Sequence, residues 1–87
     1  MYSLESSKRL DKLLAKIMKR DPVQHAAFQR KIREILEGPY RFKPLRAPMQ
    51  NKRRVHVYGP FVLTYSIDES RKVVILEDYD HHDHIYQ

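Results

Sequence analysis

At Gly38-Pro39 the hydrophobic rhythm of this chain changes. Before that dipeptide, apolar residues recur at three- and four-residue spacing; after it they alternate every second residue. Such a chain makes helices first and strands second, and each half needs the other to cover its apolar side. Leu10, Leu13, Leu14, Ile17 and Met18 form one helical face, and Lys8, Arg9, Lys12, Lys16, Lys19 and Arg20 fill the remainder. Ser6 or Ser7 is placed to cap this basic amphipathic helix. Asp21-Pro22 restarts the chain with an N-cap and a first-turn proline, and Gln24 completes a capping box. Ala27, Phe28, Ile32, Ile35 and Leu36 make the second apolar stripe, which ends at Gly38-Pro39.

Beyond the break, Pro44-Leu45-Arg46-Ala47-Pro48 reads as an extended edge and Met49 to Lys52 as a polar loop. Residues 54–58 alternate, Gly59-Pro60 turns, Phe61 to Ile67 forms a strand, and Asp68 to Arg71 makes a hairpin turn. Lys72 to Leu76 is a buried central strand, while Met1 to Glu5 fits a short edge strand. The expected fold is one α+β domain over residues 1–87. Its N-terminal helical hairpin packs on one face of a small antiparallel β-sheet, in the order β-α-α-β-β-β. The expected core includes Leu14, Phe28, Val55, Val57, Leu63, Ile67 and Ile75.

Eighty-seven residues hold a single modest core. The chain has no cysteine, which excludes disulfides, thiolate metal sites and a cysteine nucleophile. Residues 1–20 lack the apolar core of an export signal, and no run approaches the ~20 apolar residues of a membrane span. The expected location is the cytoplasm, with no membrane contact. Charge is divided along the chain. Residues 1–54 hold 15 Lys and Arg against 5 Asp and Glu, a net +10; residues 55–87 hold 2 against 6, a net −4. A basic body of this kind attracts polyanions through counterion release, and it also serves solubility.

If Val55 and Val57 point to the helices, Arg54, His56 and Tyr58 point away. A cation, an imidazole and a phenol on an open sheet face suit phosphate binding, although an ordinary solvent-facing strand carries the same residues. Arg46 and Lys52 add charge just upstream. The ending DYDHHDHIYQ supplies His81, His82, His84 and Tyr86. It has three readings. As a metal site it is poorly spaced, because adjacent His81 and His82 cannot both face one ion in regular structure. As a polar tail it needs only solubility, yet Ile85 and Tyr86 point to docking. As a proton-transfer tail it places groups that titrate usefully beside Arg54 and His56.

The stretch PLRAPMQNKRRVHVYGPFVLTYSIDESRKVVILEDYDHHDHIY, with the basic hairpin before it, resembles the RelE/ParE superfamily of type II toxins, its archaeal RelE-type members in particular. The resemblance spans almost the whole chain. It implies a metal-independent, cofactor-free endoribonuclease that cleaves messenger RNA at the ribosome. It also implies a cognate antitoxin that covers the basic surface and assembles with the toxin as a hetero-oligomer. By position, Arg54 and His56 match the family's basic pair, His81 and His82 its imidazole or basic position, and Tyr86 its near-terminal tyrosine. One departure stands out: many members carry arginine where this chain has Val62, and that arginine contacts the scissile phosphate. Phosphate stabilisation then falls on Arg54, with Arg46 or Arg53 helping.

On this reading Arg54 stabilises phosphorane charge, and His82 or His81 with Tyr86 forms the acid–base pair. His56 is able to replace either. Lys12, Lys16, Arg20, Arg46, Lys52 and Arg53 hold RNA or ribosomal RNA backbone. The alternatives are a ParE-like toxin that acts by binding alone, a basic RNA-binding module, and a metal-binding tail.

Overall fold

Two side-chain caps set the helical hairpin. In the computed structural model, which describes residues 1–46 and 51–85, strand β1 (Ser3–Glu5) leads into helix α1 (Lys8–Arg20) and helix α2 (Pro22–Glu37). The Ser7 hydroxyl accepts the Leu10 N–H at 3.1 Å. Asp21 ends α1 and opens α2: one carboxylate oxygen accepts the Gln24 N–H at 3.1 Å and the other accepts the Gln24 amide at 3.2 Å. This is the expected box, closed by carboxylate and amide side chains. Gly38 is extended, with φ −157°, so the helix stops because Pro39 cannot donate into its ladder.

Strands β2 (Lys52–Tyr58), β3 (Phe61–Asp68) and β4 (Val73–His81) form antiparallel pairs, and the sheet order is β1-β4-β3-β2. The α+β class and the helical hairpin on a sheet are as expected. The sheet itself is mixed, because β1 joins β4 in parallel, Ser3 beside Val73 through Glu5 beside Ile75. A helical crossover returns the chain in the same direction, so parallel pairing is what this connection permits. Gly59 turns β2 into β3 with φ +53°, a left-handed conformation that favours glycine. At the β2 edge, Leu45 N–H donates to Lys52 O at 2.8 Å and Arg54 N–H to Lys43 O at 3.1 Å. Pro44 bridges to Arg53, so the extended edge is present over Lys43 to Leu45; Ala47, Pro48, Met49 and Gln50 lie outside the described residues.

The core joins Leu10, Phe28 and Ile35 of the helices to Val55, Leu63, Tyr65, Val74, Leu76 and Tyr79 of the sheet. Leu14, Val57 and Ile67 pack against this cluster at its margin. Ile75 does not join it. Its cross-strand partner is Ser66, on the face away from the helices, and it is only half-buried. Tyr79 takes a core place that alternation from Val74 would have denied it. Between Leu76 and Asp78 the register shifts, so Tyr65 pairs with Leu76 while Thr64 pairs with Asp78, leaving Glu77 as the extra residue. The bulge reverses the alternation. Tyr79 turns inward, meets Phe28 edge-on at 5.0 Å and donates to Gln24 Oε1 at 2.6 Å. Tyr65 likewise donates to Pro39 O at 2.6 Å, and burial pushes its phenol up to about 12.

Candidate functional site

The same bulge decides what the other sheet face carries. Residues paired across strands share a face. Arg54, Thr64 and Asp78 therefore form one row, and His56, Val62 and Asp80 form the next. Each row places a basic residue and a carboxylate two strand spacings apart, roughly 10 Å. Without the bulge, Asp78 and Asp80 would point under the helices. Asp78 was not foreseen there and Asp80 entered the sequence reading only as a candidate metal ligand, because nothing local marks Glu77 as an unpaired residue.

Arg54 and His56 lie on the face opposite the helices, and His56 is exposed. Tyr58 leaves them, contrary to expectation. A register shift between His56 and Tyr58 pairs Tyr58 with Phe61, whose side chain packs toward the core. Arg53 also faces the helix side. Its guanidinium donates to Phe42 O at 2.6 Å and Tyr40 O at 3.3 Å and stacks over the Tyr40 ring at 5.1 Å. It thereby clamps the segment leading to β2. Lys52 remains on the open face, 3.5 Å from Glu77, and Arg46 is exposed. Lys12, Lys16 and Arg20 are exposed at four-residue intervals on the face of α1 turned from the core.

The tail docks. A single helical turn, α3 (His82–Ile85), packs against β3 and β4, tied down by His82 N–H donating to Pro60 O at 2.7 Å. Beneath it Val62 and Thr64 are buried, although they lie on the face away from the helical hairpin. The His82 ring stacks on His56 with centroids 6.0 Å apart and planes 17° from parallel. His81, still in β4, meets Phe61 edge-on at 6.0 Å. Adjacent histidines thus diverge, one to each side of the strand end. His81 Nδ1 accepts the Asp83 N–H at 3.2 Å, so the neutral ring holds its proton on Nε2. The Asp83 carboxylate lies between the two rings, 3.7 Å from His81 Nδ1 and 3.6 Å from His82 Nδ1. Tyr86, the expected phenol, lies outside the described residues.

His84 was not among the expected site residues, yet its Nδ1 donates to Asp80 Oδ1 at 3.1 Å. That bond, then the His81 N–H at 2.7 Å, holds the Asp80 carboxyl below the usual carboxylate range. A carboxylate with a depressed folded-state value stabilises the fold above its unfolded value near ~3.9 and loses that contribution as pH falls through the folded value. In an NMR titration, Asp80 is expected to protonate below an ordinary aspartate, and His84→Ala to move it back upward. An unmoved titration would separate the two residues.

The family described as "ParE toxin of type II toxin-antitoxin system, parDE" matches residues 1–86. A protein of Methanocaldococcus jannaschii bearing the name "Putative toxin RelE4" is 44% identical over 87 residues, covering all of this chain and 93% of that protein. The YoeB/ParE toxin from Agrobacterium tumefaciens superposes with TM-score 0.78 at 13% identity, covering 92% of this chain and 98% of that one. The toxin–antitoxin complex RelBE of E. coli gives TM-score 0.76 at 20% identity, covering 93% and 96%. With the family match over nearly its full length and a RelE-like arrangement of hairpin and sheet, the chain belongs to the RelE/ParE superfamily of toxins from type II toxin–antitoxin systems.

Proposed function

We propose that this toxin is a metal-independent endoribonuclease that cleaves messenger RNA on the ribosome and is neutralised by a cognate antitoxin. The observation that carries the reading is the His56–His82 stack on the open sheet face, one residue row from Arg54. Attack of a 2′-hydroxyl on the adjacent phosphate needs a base, a cation for the developing phosphorane charge and an acid for the departing 5′-oxygen. His56 and His82 supply the imidazoles for the two proton transfers, and Arg54 the charge. His81, packed against Phe61, supports the strand end, and Tyr86 remains the family's candidate for a partner in proton transfer. The antitoxin partner is inferred from the family and from the RelBE complex with which this fold aligns.

The test is single-turnover cleavage of message, free and ribosome-bound, with EDTA as a control. Cleavage is expected on the ribosome and unchanged by EDTA. No cleavage in either state would remove the catalytic reading. A second reading, action by binding alone, is favoured by Val62 and by the family's ParE description. Its outcome would be growth inhibition without RNA cuts.

The basic α1 stripe gives a separate expectation. Phosphate contacts make affinity fall linearly with the logarithm of salt, by ~0.7–0.9 per contact. Replacing Lys12, Lys16 and Arg20 together by alanine should reduce the slope for ribosome binding by about two to three. An unchanged slope would place the contact surface elsewhere.

A further inference from the structure

The segment Tyr40-Arg41-Phe42-Lys43 alternates aromatic and basic residues where α2 gives way to the edge of β2. Tyr40 is held at both ends. Its hydroxyl donates to Glu69 Oε1 at 2.7 Å, and its carbonyl oxygen accepts from the Arg53 guanidinium at 3.3 Å. The same guanidinium lies over the ring, 5.1 Å from the centroid. Even so, Tyr40 keeps 51% of its surface exposed. The anchors tie the α2–β2 connection to the β3–β4 turn, and that role accounts for the hydroxyl and the carbonyl but not for the open ring. A large side chain here has given up rotamer freedom without gaining burial. Lys72 pairs with Glu69, so the carboxylate that anchors the phenol is itself neutralised. The bond to Glu69 raises the Tyr40 phenol above its ordinary value, and the ring therefore carries no charge at neutral pH. Arg41 and Lys43 are exposed, and the Lys31 ammonium lies 5.8 Å from the centroid of the Phe42 ring.

We propose that Tyr40, backed by Arg53, is a stacking platform for an unpaired base of the message, on the stretch of RNA that runs past the β2 edge to Arg54. The inference rests on the RNA-cleavage reading for the identity of its ligand, while the platform itself is testable on RNA that cannot be cut. Single-stranded RNA is bound by aromatic side chains on which bases stack and by cations that follow the backbone. Arg53 and Arg54 are neighbours on β2 and face opposite sides of the sheet. Arg54 N–H donates to Lys43 O at 3.1 Å, so the segment that carries Tyr40 lies directly against the strand that carries the proposed charge-stabilising group. RNA leaving Arg54 around this edge meets Lys43 and Arg41 for its phosphates and the Tyr40 ring for a base. Because the ring is anchored beforehand, little further ordering is needed on binding. Every base has a π-face, so the platform adds affinity without a sequence preference.

The first arm uses a short single-stranded RNA, 2′-O-methylated throughout so that it lacks the attacking hydroxyl, with binding read by fluorescence anisotropy. Tyr40→Ala should weaken binding by about 5- to 150-fold, the range for loss of one base–aromatic stack. The slope of log affinity against log salt should stay that of the native protein, because a stack releases no counterions. Tyr40→Phe, which keeps the ring and loses only the bond to Glu69, should recover most of the loss. Tyr40→Leu, which keeps apolar bulk without a ring, should not. NMR spectra of the variants establish that each is folded, and the Tyr40 ring protons of the native protein should move upfield as the RNA is added. In the second arm, ribosomes carrying a message should hold the native protein more tightly than Tyr40→Ala, and empty ribosomes should bind both equally. Weaker binding of empty ribosomes by Tyr40→Ala would assign the ring to ribosomal RNA and overturn the message platform. So would failure of the native protein to bind the oligonucleotide, an affinity unchanged in Tyr40→Ala, or Tyr40→Leu binding as well as Tyr40→Phe. A shallower salt slope in Tyr40→Ala would do the same, because the loss would then come from displaced cations. Binding through Tyr40 without any cleavage would leave the platform standing and remove the nuclease; cleavage with no contribution from Tyr40 would do the reverse.

Discussion

Arg54→Ala should lower single-turnover cleavage of ribosome-bound message by about 10²–10³, the loss typical when one preorganised charge-stabilising group is removed. His82→Ala should cost about 10²–10⁴, as expected for lost acid–base help. His56→Ala should fall in the same range, because the two rings stack on each other and act as a pair. The three losses should appear in the chemical step, with ribosome binding much less affected. Losses that combine to less than their product would mark the groups as one unit. Full activity in a His56→Ala/His82→Ala double variant would overturn the assignment, and so would inactivation by EDTA that zinc reverses. Val62→Arg, which restores the arginine common in the family, faces an obstacle evident only in three dimensions. Val62 is fully buried between His56 and Asp80 beneath α3. A guanidinium there has to lift the terminal turn or pair with Asp80, so gained charge and displaced His82 would act against each other.

Leu63→Ala should destabilise the fold by ~2–5 kcal/mol, the range for removing a fully enclosed leucine. Leu63 lies mid-sheet, paired with Val55 on one side and Tyr79 on the other, and belongs to the cluster reached by Leu10, Phe28 and Ile35. The surrounding strands are pinned by their ladders, so the cavity cannot collapse. Against a total of ~5–15 kcal/mol for a small domain, that loss is large. Urea unfolding should show a lower midpoint with the slope unchanged. Deleting Asp83 to Gln87 should cost less, because α3 contributes only half-buried Ile85 and its cover over Val62 and Thr64. A Leu63→Ala midpoint equal to that of the native chain would contradict the central place given to this residue.

The sequence by itself determined the helical hairpin, its caps, the three-strand meander and the burial of Phe28, Val55 and Leu63. These follow from signals a few residues long: Ser7, Asp21 and Gln24 meet backbone groups within one turn, and alternation over residues 54–57 follows from strand geometry. It also placed Arg54 and His56 opposite the helices. Only the tertiary structure decided that β1 joins β4 in parallel, since pairing partners far apart in sequence are chosen by the crossover between them. Only it decided that Tyr58 and Ile75 change faces relative to expectation, that Arg53 turns back to hold Tyr40 and Phe42, and that the His84 ring binds the Asp80 carboxylate. Ile75 simply alternates with core-facing Val74 and Leu76, and Arg53 shares the face of Val55, whereas for Tyr58 and Tyr79 the physical reason is a shift of register. A β-bulge adds one residue to one strand of a pair, and every side chain beyond it exchanges faces. Because the shift is defined by register against a neighbouring strand, no local pattern in Leu76-Glu77-Asp78-Tyr79-Asp80 reveals it, yet it delivers Tyr79 to the core and the carboxylates of Asp78 and Asp80 to the open face.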